Sequence, residues 1–223
     1  MGRIQTIERK EELPASPNDG IYVIIDVLRF STTCVSLLAN GAEYIKPFQN
    51  TQEALSFKSD DADRIIIGES GGEQISGFDH NNSPTALQDE DVSGHKIGIL
   101  TTNGTVALGK TQPQKAYIGG LVNAEAIGTM LQDTDDDIYL LAAGSGGTVT
   151  DEDLAGASLI EAYINDTVTE EKRENAEKRV KESTYADKLR ERGFDEDIDH
   201  AADTNRYDIV PARKQQIIVA QDQ

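Results

Sequence analysis

One cysteine, no tryptophan and 5% aromatic residues leave this 223-residue chain with few of the usual chemical handles. A lone Cys34 excludes an internal disulfide and a cysteine-based metal cluster, and it fits a cytoplasmic protein. No apolar run approaches the length that crosses a bilayer, and the opening MGRIQTIERKEE has no signal-peptide hydrophobic stretch. The expectation is therefore a cytoplasmic location and no membrane partner. Positive charge is scarce: 21 Lys and Arg stand against 40 Asp and Glu, a formal net charge of −19. With no basic stripe to drive counterion release, nucleic acid is excluded as a partner. The acids are scattered in pieces such as SDDAD, QDEDV and QDTDDD, not gathered into a tail. Such a surface suits a halophilic organism with molar salt in its cytosol, where a Debye length of about 3 Å screens the self-repulsion.

What is present is a rhythm of short apolar runs and helical patterns. IYVII, YIKPF, RIIIG, KIGIL, KAYIGG and IYLLAA read as strands. Helical patterns over 33–40, 51–59, 104–110, 123–132 and 153–164 follow most of them. This alternation predicts a three-layer α/β/α fold with a mixed, mostly parallel sheet, in one domain spanning residues 1–223. Residues 165–192 break the rhythm; they are highly charged, helical in propensity and weak in apolar periodicity, and read as a solvated helical segment. RYDIVPARKQQIIVAQ reads as a last strand or hairpin returning to the sheet.

Three strand-to-helix junctions carry the polar chemistry, and in open α/β sheets such junctions are where ligands bind. YVIIDVLRFSTTC delivers Asp26 at a strand end, then Arg29 and the hydroxyls of Ser31, Thr32 and Thr33. An arginine and the first amides of a helix suit an anionic group, phosphate above all. IIIGESGGEQISGFDHNNSPTAL ends a strand in Glu69, passes the Gly71–Gly72 pair, and reaches Asn82-Ser83-Pro84, an N-terminal signature for another helix. KIGILTTNGTVAL places Thr101, Thr102, Asn103 and Gly104 in a turn. Glycines there let backbone N–H groups approach a ligand, while hydroxyls and amides supply neutral donors.

The ordered set DVLRFSTT, GESGG, GFDHNNSP and TTNGT resembles the 2-phosphosulfolactate phosphatase family. The resemblance continues through GGLVNAEAI with Asn123, AAGSGG and the Glu152-Asp153 pair, and more weakly through GFDEDIDHAADTNRYDIVP. It implies a Mg²⁺-dependent phosphatase of phosphorylated 2-hydroxy acids with a three-layer fold; the family's named role lies in coenzyme M biosynthesis. The chain departs from the family pattern at Ala86, where a Glu is common, and at Ala142, where a Cys is common. Gly146 and Thr148 stand where Glu and Arg usually do. Those two changes bear on the substrate's second anionic group more than on the chemistry.

Other chemistries lack their required residues. Asn40 stands where a cysteinyl phosphatase starting at Cys34 needs its arginine, no Arg-His pair exists for histidine-based transfer, and Leu28 replaces the second carboxylate of an Asp-x-Asp-x-Thr signature. Gly104–Thr111 spells G-x-x-x-x-G-K-T to the letter, but Gln112-Pro113 would break a helix opening at Lys110. A nucleotide hydrolase using that loop, and a non-catalytic anion-binding protein of the same fold, are the competing readings. Carboxylate-plus-metal chemistry leads, because Mg²⁺ prefers hard oxygen ligands and needs only one or two carboxylates.

The expected catalytic residues are Asp26, Arg29 and Glu69, with Asp26 as metal ligand, base or nucleophile. Metal ligands are expected from Asp26, Glu69, Asp79 and Asp153. Substrate would be held by Ser31, Thr32, Thr33, Gly71, Gly72, Asn82, Ser83, Thr101, Thr102, Asn103, Gly104 and Asn123. The partner is a small anionic phosphorylated substrate; oligomeric state is not readable, though enzymes of this size commonly self-associate.

Overall fold

The run Ile21–Ile25 (β2) is apolar at every position and buried throughout, as a central strand covered on both faces must be. The structure is a computed structural model describing residues 2–88 and 90–221. Ahead of β2 lie β1 (Ile4–Ile7) and a 3₁₀ turn at Lys10–Glu12. After it come α1 (Phe30–Ala39), β3 (Tyr44–Pro47), α2 (Thr51–Ser59), β4 (Ile65–Ser70) and β5 (Glu73–Gln74). Then follow β6 (Lys96–Leu100), α3 (Gly104–Lys110), β7 (Lys115–Gly119), α4 (Ala124–Leu131), β8 (Ile138–Ala142) and α5 (Asp151–Ile164). The chain closes with α6 (Glu170–Lys181), α7 (Thr184–Arg190), α8 (Asp195–Ala202), β9 (Pro211–Lys214) and β10 (Ile217–Ala220).

Strand periodicity of two builds the three layers. Ile21, Val23 and Ile25 point to the side of α4 and α5, joining Ile127, Leu131 and Ile160. Tyr22 and Ile24 point the other way, joining Phe30 and Leu37 of α1 and Leu108 of α3. A smaller cluster of Phe48, Phe57 and Ile66 seats α2 on the outer half of the sheet.

The strand order is β1-β8-β2-β7-β9-β10-β3-β6-β4-β5. β1-β8-β2-β7 and β3-β6-β4 are each parallel internally. The β9–β10 hairpin joins these sets and runs antiparallel to both its neighbours, β7 and β3, so the sets have opposite sense by pairing. The turns at the C-terminal ends of β2 and β6 nevertheless meet: Phe30 after β2 lies against Gly104 after β6.

Two expectations are corrected. After Asn82-Ser83-Pro84 there is no helix but a series of turns to Gln88, closed by bonds such as Gln88 N–H to Thr85 O. Ser83 Oγ accepts from Ala86 N–H, and both Ser83 and Thr85 hydroxyls donate to Asp197. The stretch 165–192 is not wholly solvated: α6 buries Ala176 and Val180, and α7 buries Ala186 and Leu189 in the same core as α5. Two buried apolar residues per helix make too thin a stripe to show as periodicity.

Candidate active site

The β2–α1 turn is closed by its own hydroxyls. Ser31 Oγ donates to Ile24 O at 3.1 Å and accepts from Asp26 N–H at 2.9 Å; Thr32 Oγ1 donates to Val27 O at 2.8 Å. Thr33 N–H donates to Arg29 O, as a helix amide does, while its buried hydroxyl finds no partner among the described residues. Ser31 and Thr32 therefore latch the turn that presents Asp26. The Asp26 carboxylate, in a residue only 8% exposed, accepts one long bond from Phe30 N–H at 3.4 Å on Oδ1. Its other oxygen accepts none among the described residues.

Glu69, at the end of β4, is held differently. One oxygen accepts from Thr102 N–H at 2.7 Å; the other accepts from Gly72 N–H at 2.7 Å and from the Thr102 hydroxyl at 3.1 Å. Gly71 N–H in turn donates to Thr102 Oγ1 at 3.2 Å. Glu69 thereby ties the glycine turn after β4 to the threonine turn after β6. Gly72 adopts φ +89°, a backbone conformation that other residues reach only with strain.

Asp26, Glu69, Glu152 and Asp153 form a carboxylate cluster. Burial first, then Asp153, Glu69 and Glu152, push the Asp26 carboxyl well above its usual range. Burial and Asp153 raise Glu152 to about 7. Asp153 is raised to about 6 by burial, against hydrogen bonds that favour its charged form. Those bonds occupy both its oxygens: Val27 N–H at 2.8 Å on one, Gly144 N–H at 3.1 Å and Thr150 Oγ1 at 2.8 Å on the other. Asp153 clamps the ends of β2 and β8 together.

Two buried cations border the cluster. Lys10 Nζ donates to Asn103 Oδ1 and Ala143 O, each at 3.0 Å, and to Gly144 O at 3.4 Å, so it bridges the turns after β6 and β8. Arg29, 3% exposed, pairs through Nη1 with the fully buried Asp197 at 2.6 Å and donates through Nη2 to Asn81 Oδ1 at 2.9 Å. Its guanidinium also lies 4.4 Å from the centre of the Phe194 ring. Arg29 thus has only its remaining N–H groups for a ligand.

Several expected site residues are engaged elsewhere. Asp79 accepts from Ile66 N–H at 2.8 Å and pairs with Lys58 at 3.2 Å, three residues up β4 from Glu69, or about 10 Å. Asn123 uses both ends of its amide on backbone, accepting from Gly120 N–H and donating to Ile118 O and Ile209 O. Ser83 belongs to the Asp197 hub. Thr101 and Thr105 bond each other reciprocally at the start of α3. Gly104 serves close packing, for a Cβ there would meet Phe30 Cγ at 2.2 Å. The nucleotide-loop pattern is overturned: Gly104–Lys110 is helix throughout, and Lys110 Nζ donates to Lys10 O.

Residues not anticipated are Lys10, Asn81, Tyr185, Arg192 and Asp197, and Glu152 was singled out only as part of a motif, with no role. Glu152 was discoverable from its neighbour Asp153; Asp197 was one acid among 40. Tyr185 of α7 sits in the field of Asp26, Glu69, Arg29 and Arg192, and burial together with the two carboxylates pushes its hydroxyl up to about 12.

The donor set suits a hard divalent cation. Among the described residues, Asp26 carries a free oxygen beside mutually repelling carboxylates, and the 2%-exposed Asn82 has a buried Oδ1 with no partner. Among the described residues no three carboxylate or imidazole groups form a ready-made cage. Mg²⁺ does not require one, since it keeps several waters.

These features define a three-layer α/β/α protein whose acidic site lies where strand ends from two parallel sets converge. Residues 7–216 match the family model for 2-phosphosulpholactate phosphatase. The chain is 32% identical over 202 residues to a Pseudothermotoga lettingae protein named "Probable 2-phosphosulfolactate phosphatase", covering 86% of this chain and 88% of the relative. A Thermotoga maritima protein of the same name is 33% identical over 211 residues, covering 89% and 92%. One from Carboxydothermus hydrogenoformans is 32% identical over 206 residues, covering 86% of each. The chain belongs to the 2-phosphosulfolactate phosphatase family.

Proposed function

We propose that the protein hydrolyses a phosphate monoester of a 2-hydroxycarboxylic acid, with 2-phosphosulfolactate as the type substrate, at a Mg²⁺ site. The observation that carries this reading is the Asp26 carboxylate. It is the strand-end acid whose second oxygen no described residue binds, and it stands among three other carboxylates at the anion-binding junction of the fold. When bound, Mg²⁺ would neutralise phosphoryl oxygens and charge on the leaving alkoxide. Asp26, with Glu69 as a neighbouring carboxylate, would hold it.

Water replaces the alkoxide on phosphorus, so one proton must leave the water and one must reach the departing oxygen. A carboxylate that holds a divalent cation stays ionised, so Asp26 is assigned the cation, and the proton that leaves the water is the one the departing oxygen takes up. Glu69 fixes the Gly71–Gly72 and Thr102 turns, Asp153 fixes the ends of β2 and β8, and Lys10 supplies buried positive charge beside them. Each remote partner keeps the turns pre-formed, so little reorganisation is needed at the moment of reaction.

The test is phosphate release from 2-phosphosulfolactate, 2-phospholactate and ATP, with Mg²⁺ or chelator, for wild type and Asp26→Asn. The assay belongs in high KCl, since we read the −19 charge as salt adaptation. Metal-dependent release from a phospho-hydroxy acid, lost in the variant, is the expected result. Release from ATP alone, or none from any substrate by folded protein, would overturn the proposal.

A further inference from the structure

The cations around the site can be sorted by what already holds them. Arg29 is paired with Asp197 and Asn81. Lys10 is committed to Asn103, two carbonyls and the Glu11 carboxylate. Arg9, just after β1, pairs with Glu12 and donates at 2.7 Å to the carbonyl of Gly147 on the loop after β8. Arg192, in the connection between α7 and α8, is different: its guanidinium makes no hydrogen bond or ion pair with any described residue. Arg192 is exposed, so its unpaired fork is open to a ligand from solvent.

Its position is not random. A Cβ built on Gly72 would lie 1.7 Å from Arg192 Nη1 and 2.8 Å from Cζ, so the guanidinium rests directly on the α-carbon of Gly72. Gly72 is the residue whose N–H holds Glu69 and whose carbonyl accepts from Asn81, the partner of Arg29. The two arginines therefore bracket the same glycine turn, and Tyr185 lies in the field of both and of Asp26 and Glu69. Glycine at 72 leaves room for the guanidinium that any side chain would displace.

We propose that Arg192 is the specificity-determining residue for the substrate's second anionic group, a carboxylate or sulfonate carried beside the phosphoester. The proposal rests on the phosphomonoesterase reading and deepens it. A guanidinium suits the task because its planar fork pairs two oxygens of a carboxylate or sulfonate at once. It also supplies local positive charge where a multiply charged anion must approach an acidic protein.

The test is calorimetric titration of sulfolactate, the phosphate-free dianion, and of inorganic phosphate into wild type, Arg192→Ala, Arg192→Lys and Arg190→Ala. Arg190 removes the same unit of charge from the same helix end but is paired with Asp187 and the Lys181 carbonyl. Arg192→Ala should weaken sulfolactate by about tenfold or more and phosphate by less than about threefold, with Arg192→Lys between. Arg190→Ala should change neither. The proposal is overturned if wild type does not bind sulfolactate. Equal weakening of both ligands by Arg192→Ala, or an equal effect of Arg190→Ala, would also overturn it. These outcomes are independent of turnover: absence of phosphate release from any monoester would defeat the phosphatase reading, while the titrations would still decide the anion subsite.

Discussion

Arg29 and Asp197, 168 residues apart in sequence, meet at 2.6 Å with both side chains buried. Asp197 also accepts from the hydroxyls of Ser83 and Thr85, so one carboxylate joins α8, the turn after β2 and the Asn82-Ser83-Pro84 loop. Removing one member of a buried pair leaves the other uncompensated, which costs far more than the pair contributes. Asp197→Ala should destabilise the protein by about 3–5 kcal/mol, read from urea unfolding. A loss under about 1 kcal/mol would mean that water or another group already satisfies Arg29.

Asp26 presents the opposite case. Its burial among Asp153, Glu69 and Glu152 disfavours its charged form, so the neutral isostere should relieve repulsion. Asp26→Asn is expected to be inactive yet more stable at neutral pH, by on the order of 1 kcal/mol, the pattern of a site that sacrifices stability for chemistry. A thermal melt without divalent cation checks this, and a lower melting temperature in the variant would contradict it.

Gly104→Ala separates two roles for that glycine. If its use were ligand approach, the variant would fold normally and lose activity. The structure instead sets its Cβ at 2.2 Å from Phe30 Cγ, in a buried ring contact. Overpacking of about 2–3 kcal/mol should exceed the roughly 1 kcal/mol that Ala gains over Gly in a helix. Chemical denaturation should therefore show a net loss of stability.

His200 gives a pH signature. Its ring nitrogens contact Ser36 Oγ at 2.9 Å and Gln88 Nε2 at 2.6 Å, with Tyr207 at 3.3 Å. Burial and then Arg206 lower its proton affinity, while Asp197 and Asp203 oppose them. A histidine whose folded pKa is lowered binds its proton first in the unfolded chain, so stability falls as pH drops below about 6.5. Unfolding midpoints of wild type and His200→Gln, taken from pH 7.5 to 5, should show wild type losing ground to the variant on acidification. Parallel curves would remove His200 from the acid response.

The strands and the polar turns behind them were readable because they are local. IYVII needs two apolar faces, which only a central strand offers, and β2 is that strand. The hairpin at the C-terminus and the helices over 51–59 and 104–110 were likewise legible, since turn chemistry and periodicity act over a few residues. The same locality bears on the failure after Pro84, where a good helix start gives turns whose hydroxyls bond a carboxylate more than 100 residues away.

By itself the sequence determined the layered α/β architecture and the delivery of Asp26, Glu69 and Thr102 at strand ends, because backbone sterics and side-chain period govern both. Tertiary structure alone decided which polar groups remain free to act. Ser31, Asn123, Asp79 and Ser83 look like ligands in one dimension, but packing brings backbone or a charged partner to each, and a buried polar group must be satisfied. Lys10, Asp197 and Arg192 acquire their roles only through contacts that cross the chain, where no local pattern can register them.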